Sequence, residues 1–133
     1  MTLITGKLSI FGGISDKGMI DDTGLALYEP HEADLRPDLF LPFESNDKSF
    51  PTWKRLKEDA LYCALRFDHS LGRKRLQETP VKIVNLITKR FVMAFLVDWG
   101  PHEKTNRIID VSPGVADILE VKTDDEVKII GLF

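Results

Sequence analysis

Hydrophobic and polar positions alternate at both ends of this chain and lose their period in a proline-punctuated stretch, Pro30 to Pro51. From Leu3 to Phe11, the residues Leu3, Thr5, Lys7, Ser9 and Phe11 alternate with Ile4, Gly6, Leu8 and Ile10, the period of a half-buried strand. Gly12-Gly13 ends it, and the turn-forming stretches Ser15-Asp16-Lys17-Gly18 and Asp21-Asp22-Thr23-Gly24 follow. Leu25-Ala26-Leu27-Tyr28 is predicted as a short second strand, stopped by Pro30. Beyond it the pattern dissolves: Pro30, Pro37, Pro42 and Pro51 punctuate a segment in which Phe40, Leu41 and Phe43 keep no period. A loop this long is uncommon in a compact domain, and its apolar anchors predict an insertion at about 30–52 packed on the rest of the chain.

Thr52 is placed to cap a short helix reaching about Ala60, and Leu61 to Phe67 is predicted as a strand ending at Asp68-His69-Ser70. The basic cluster Arg73-Lys74-Arg75 is expected to form a solvated loop. Val81 to Asn85 alternates as a strand, Leu86 to Lys89 turns, and Phe91 to Val97 is apolar throughout, which predicts burial on both faces. Ser112-Pro113 opens a helix, since Ser is a good N-cap and Pro is pre-set for the first helical position. Val115, Ile118 and Leu119 give that helix one apolar face, and Val127 to Leu132 makes a last strand. The pattern is mainly β, with one short helix late in the chain and no internal repeat.

At 133 residues the chain has room for a single domain, 1–133, and 43% hydrophobic with 29% charged residues is an ordinary globular composition. Eighteen Lys and Arg against 21 Asp and Glu leave a net charge of −3, which argues against nucleic-acid binding by phosphate neutralisation. The apolar run Phe91–Val97 is too short for a membrane span. Cys63 is the only cysteine, so no internal disulfide forms, and its apolar strand predicts an inert core thiol. Met1 to Lys7 shows no basic stretch leading into an apolar one, so the sequence as given predicts a cytoplasmic location, with action outside the cytoplasm requiring another export route. His31, His69 and His102 have no ligand spacing and no phosphate-cradling glycine loop is present, so neither a metal nor a cofactor is expected.

Candidate chemistry concentrates in Val97-Asp98-Trp99-Gly100-Pro101-His102. Asp98 ends an apolar strand at a Gly-Pro turn. Partial desolvation there would raise its proton affinity and suit a proton donor, whereas capping by turn amides would lower it; both readings stand on spacing alone. Trp99 offers a flat apolar face to a sugar ring or another planar group, and His102 follows on the same turn. Asp110 lies between Arg107 and the helix start, where it either completes a turn or forms an acid pair with Asp98; Arg107 is available to pair with either acid.

The ordered set Val81-Lys82-Ile83-Val84-Asn85, Val97-Asp98-Trp99-Gly100-Pro101 and Arg107-Ile108-Ile109-Asp110-Val111-Ser112-Pro113 resembles the rare-lipoprotein-A-like double-psi β-barrel family. That family repeats a V-x-V-x-N strand, a D-x-G-P turn and an R-[IV]-[IV]-D-[VL]-S junction, and the likeness covers about residues 80 to 132. The resemblance implies a six-stranded double-psi β-barrel with one or two short helices and the long inserted loop, as in expansins, barwin-like proteins and certain peptidoglycan lytic transglycosylases. It implies a polysaccharide or peptidoglycan-like partner, with Asp98 as acid/base by analogy with wall-cleaving relatives and Asp110 as the essential acid by analogy with expansins. Trp99, His102, Arg107 and Asp68 are the expected substrate-binding residues. The family's A-x-H motif reads Cys63-Ala64-Leu65-Arg66-Phe67-Asp68 here, without the histidine, and Asp68 or His69 is the nearest substitute. The alternative expectation is a non-catalytic, cytoplasmic or phage-associated interaction or assembly module on the same barrel.

Overall fold

The computed structural model describes residues 1–13, 16, 24–42 and 52–133. Six strands carry the fold: β1 (Thr2–Ile10), β2 (Tyr62–Leu65), β3 (Val81–Asn85), β4 (Phe91–Asp98), β5 (Ile109–Val111) and β6 (Glu126–Gly131). They close into one barrel in the order β1-β5-β2-β4-β3-β6. The pairs β1–β5 and β2–β4 run parallel and the remaining pairs antiparallel. Leu8, Leu65, Ile83, Leu96, Ile109 and Ile129 point inward and are fully buried, so the interior is a packed core with no lumen.

Relabelling β1, β2 and β3 as β4, β5 and β6 leaves every neighbour and every strand direction unchanged. The barrel is thus two interlocked three-strand halves related by a pseudo-two-fold axis. Antiparallel β2 and β5 face each other across that axis, with Ala64 opposite Asp110 at the centre of their register. A closed, six-stranded mixed barrel with this connectivity is compatible with the double-psi barrel expected from the sequence.

Helices are short but number three among the described residues: α1 (Pro30–Ala33), α2 (Arg73–Glu78) and α3 (Pro113–Leu119). Only α3 follows from periodicity, and Ser112 Oγ accepts from the Val115 amide at 3.1 Å as its predicted cap. The Arg73-Lys74-Arg75 cluster opens α2 instead of lying in a loop, because Leu76 is buried and anchors that turn to the barrel. The helix expected over 52–60 contracts to a 3₁₀ turn at Thr52–Arg55, since Leu56 instead bridges Phe40 and the Lys57 amide donates to the Leu39 carbonyl at 2.8 Å. Leu25–Tyr28 is not a strand. Its alternation reflects side chains buried against the core, while its main chain bonds mostly to side chains.

The described part of the insertion is packed, with Ala33, Leu39, Phe40 and Thr52 buried. Buried Arg55 ties it together, donating from Nη2 to Asp34 at 2.7 Å and from Nε to the Leu41 carbonyl at 3.1 Å. Residues 43–51, with Phe43 and Pro51, lie outside the described residues, as do the first turn stretches apart from Asp16 and Gly24. The expectation that Phe91–Val97 is buried on both faces also needs correction. Phe91 and Met93 are 56% and 45% exposed, because the outward side of β4 is uncovered at its start. Among the described residues no helix is long and apolar enough to cross a membrane.

Candidate functional site

Strand register brings the predicted acids into one row. Ser9 on β1 is the partner of Asp110 on β5, Asp110 is the partner of Ala64 on β2, and Ala64 is the partner of Asp98 on β4. Neighbouring strands lie ~5 Å apart, so the Cα atoms of Asp98 and Asp110 stand about 10 Å from each other with the Ala64 methyl between. Ile109 and Val111 fill the core on either side of Asp110 in sequence, which by alternation turns Asp110 out of the barrel, and its row partners with it.

Asp98 reaches that row through a β-bulge. Cys63 pairs with Leu96 but Ala64 pairs with Asp98, leaving Val97 as the extra residue. Both Leu96 and Val97 are fully buried, and the Val97 carbonyl accepts from the Leu27 amide at 3.2 Å. Without the bulge Ala64 would face Val97, and Asp98 would point into the apolar interior. Gly100-Pro101 is a cis bond, and the Gly100 amide donates to the Leu65 carbonyl at 3.3 Å, returning the chain beside β2.

The two carboxylates have different surroundings. Asp110 is half-buried, and this desolvation raises its proton affinity above that of an ordinary aspartate. A hydrogen bond from Ser9 and the charges of Arg107 and Arg66 oppose the rise, while Asp16 adds to it. Ser9 Oγ donates to Oδ1 of Asp110; among the described residues nothing hydrogen-bonds its Oδ2, which lies on the side of Gly100, where an added Cβ would stand 3.9 Å away. Asp98, also half-buried, accepts the Ala26 amide on Oδ1 at 2.7 Å, a main-chain contact from a segment distant in sequence and not from the Gly100-Pro101 turn.

Both acids open onto a cleft of about 560 Å³, also lined by Ser9, Trp53, Trp99 and Arg107. Trp99 is 39% exposed and is oriented by its indole N–H, which donates to the Phe67 carbonyl at 3.3 Å. His102 lines the cleft too, but its Nδ1 accepts the Lys104 amide at 3.2 Å and so caps the 3₁₀ turn Glu103–Thr105. Arg107 pairs with neither acid of the row. Its Nε donates to Asp124 at 2.9 Å, because β1 draws together the Ile108 amide, which bonds to Lys7, and the Asp124 amide, which bonds to Leu8. Asp68 is not among the lining residues; it caps the turn His69–Leu71 by accepting from the Ser70 amide at 2.9 Å. Burial pushes the Cys63 thiol up, in keeping with an inert core residue.

Sequence reasoning overlooked Ser9, Trp53, Asp16 and Arg66. Arg66 stands two residues after Ala64, the place of the missing histidine, and its Nη1 donates to the Pro101 and Arg107 carbonyls at 2.7 and 3.0 Å. It thereby fastens both loops of the cleft to the end of β2. The one available signal was an arginine closing an otherwise apolar strand. Among the described residues no group of three or more His, Cys, Asp or Glu side chains is placed to hold a metal ion. No protein-family model matches the chain, and no curated protein is significantly similar to it.

Proposed function

We propose that this chain is a glycan-acting barrel of the rare-lipoprotein-A-like kind, whose cleft takes a peptidoglycan-like polysaccharide and cleaves it by a lytic route with Asp110 as the general acid. One observation carries the reading: a half-buried carboxyl, held by Ser9 at one oxygen, has its other oxygen on the Gly100 side of a cleft flanked by Trp53 and Trp99. Burial favours the protonated form of Asp110 and suits it to proton donation, while Asp98, bonded to the Ala26 amide, is suited to orienting the sugar. The motif order D-W-G-P then R-I-I-D-V-S supports the same family reading.

In this mechanism Asp110 gives its proton to the glycosidic oxygen as the C1–O bond breaks. The sugar's own 6-hydroxyl then bonds to C1 and returns its proton to the Asp110 carboxylate, so the acid is regenerated and a 1,6-anhydro end is left. Incubation with peptidoglycan and mass spectrometry of the soluble fraction is the test. The expected result is 1,6-anhydro muropeptides, reduced at least ~100-fold in Asp110→Asn. Retention of glycan without such products, equal in wild type and variant, overturns the catalytic reading and leaves a binding barrel.

A second reading, a protein-interaction module, draws on the outward face of β4, β3, β6 and β1. There Met93, Lys82, Ile130 and Leu3 form one cross-strand row, with Phe91 beside it, and Leu3 is 61% exposed. Copurification of a stoichiometric protein partner, with no glycan retained, would favour it.

A further inference from the structure

Ala26 is gripped from both sides. Its amide donates to Asp98 Oδ1 at 2.7 Å, and its carbonyl accepts Arg73 Nη1 at 2.6 Å from α2, outside the cleft. Arg73 is in turn held by Glu32 on α1, with Nη2 to Oε1 at 2.5 Å and Nε to Oε2 at 3.3 Å. Gln77, one turn further along α2, donates to Glu32 Oε2 at 2.7 Å and to the Leu27 carbonyl. Beyond this clamp Arg36 sits 4.6 Å from the Phe95 ring and donates to Tyr28 Oη at 2.7 Å, so the segment 24–36 is laid along β4 and α2 at successive points. Leu25, next to the gripped residue, lines the cleft.

We propose that Arg73 is a positioning residue for the cleft: with Glu32 and Gln77 it holds the 25–27 segment as a fixed wall, and through the Ala26 amide it sets the orientation of the Asp98 carboxylate. As far as saccharide binding is concerned, the inference rests on the glycan reading above; the geometry it asserts does not. The clamp works across the ordinary pH range, because the hydrogen bond from Arg73 holds the Glu32 carboxyl down at about 2 and keeps it ionised. It also accounts for a basic cluster that no phosphate site explains. Arg73 faces Glu32 and the Ala26 carbonyl, and with Glu32, Gln77 and Lys74 it lines a hollow between α1 and α2 that is separate from the cleft.

The test compares wild type with Arg73→Ala, Arg73→Lys and Glu32→Gln, all as full chains, by ¹H–¹⁵N NMR and by binding of soluble peptidoglycan fragments. The expected result in Arg73→Ala is an upfield shift of the Ala26 amide proton and about tenfold faster exchange of that amide with solvent. Amides of β3 and β6, such as Ile83 and Ile129, stay unchanged. Arg73→Lys restores most of the signature, and Glu32→Gln reproduces part of the loss. An Ala26 amide that is unmoved in both Arg73→Ala and Glu32→Gln overturns the inference. Should the Ala26 amide respond while wild type binds no fragment, the clamp stands and the glycan reading falls. Should wild type bind and the clamp variants bind equally well despite a moved amide, the assigned role in positioning the site is overturned.

Discussion

Ser9 donates its hydroxyl hydrogen to Oδ1 of Asp110, its direct register partner on the neighbouring parallel strand. That bond favours the ionised form and works against the burial that favours the protonated one. Removing it in Ser9→Ala should therefore raise the Asp110 titration midpoint further. A ¹³C titration of the side-chain carboxyl checks this, and an unchanged midpoint would show that the hydroxyl has no hold on the acid.

Asp110 also leaves a mark on stability with a definite sign. Its folded proton affinity exceeds that of an unfolded aspartate, near 3.9, so the folded chain keeps a proton that the unfolded chain has already released. Stability contributed by the protonated form falls as pH rises through the interval between those midpoints, and it stays lost at neutral pH. Asp110→Asn, which needs no ionisation, should melt about 3 °C higher than wild type at pH 7 and at the same temperature in acid. Thermal melts at the two pH values decide the matter.

Arg66 fastens the two loops that border the cleft to the end of β2. Substituting Met keeps the stem but leaves the Pro101 and Arg107 carbonyls without their donor. The loss should be about 2 kcal/mol, read as a lower urea midpoint, with faster exchange of the Gly100 amide marking the loop as the place affected.

Ser112 ties the end of β5 to the core. It is fully buried, donates to the Ala60 carbonyl at 2.6 Å and accepts the Val115 amide. Ser112→Ala should cost about 2 kcal/mol in chemical denaturation, more than an exposed cap, because a buried carbonyl and a helix amide both lose their partner. A change below about 0.5 kcal/mol would mean that neighbouring groups replace both bonds.

Much of the fold could be read from local pattern. Alternation located β1 and β3, the Ser-Pro pair located α3, and the motif order carried the expectation of the barrel, because strand period and capping are properties of adjacent residues. The same rules failed where distant residues settled the outcome. Leu25–Tyr28 has strand periodicity, yet its amide and carbonyl groups are taken by Asp98, Val97, Arg73 and Gln77, which stand 47 or more positions away.

The site divides along the same line. Residue type and spacing alone marked Asp98, Trp99 and Asp110 as chemically interesting, since an acid beside a Gly-Pro turn or a helix start is a local feature. Which main-chain and side-chain groups hold each acid, which carboxylate Arg107 serves, and that Ser9 completes the row were decided by barrel closure. A bulge of one residue turns Asp98 outward, and the shared partner Ala64 sets it beside Asp110. Burial and charge pairing depend on distances through space, and only the closed sheet fixes those distances.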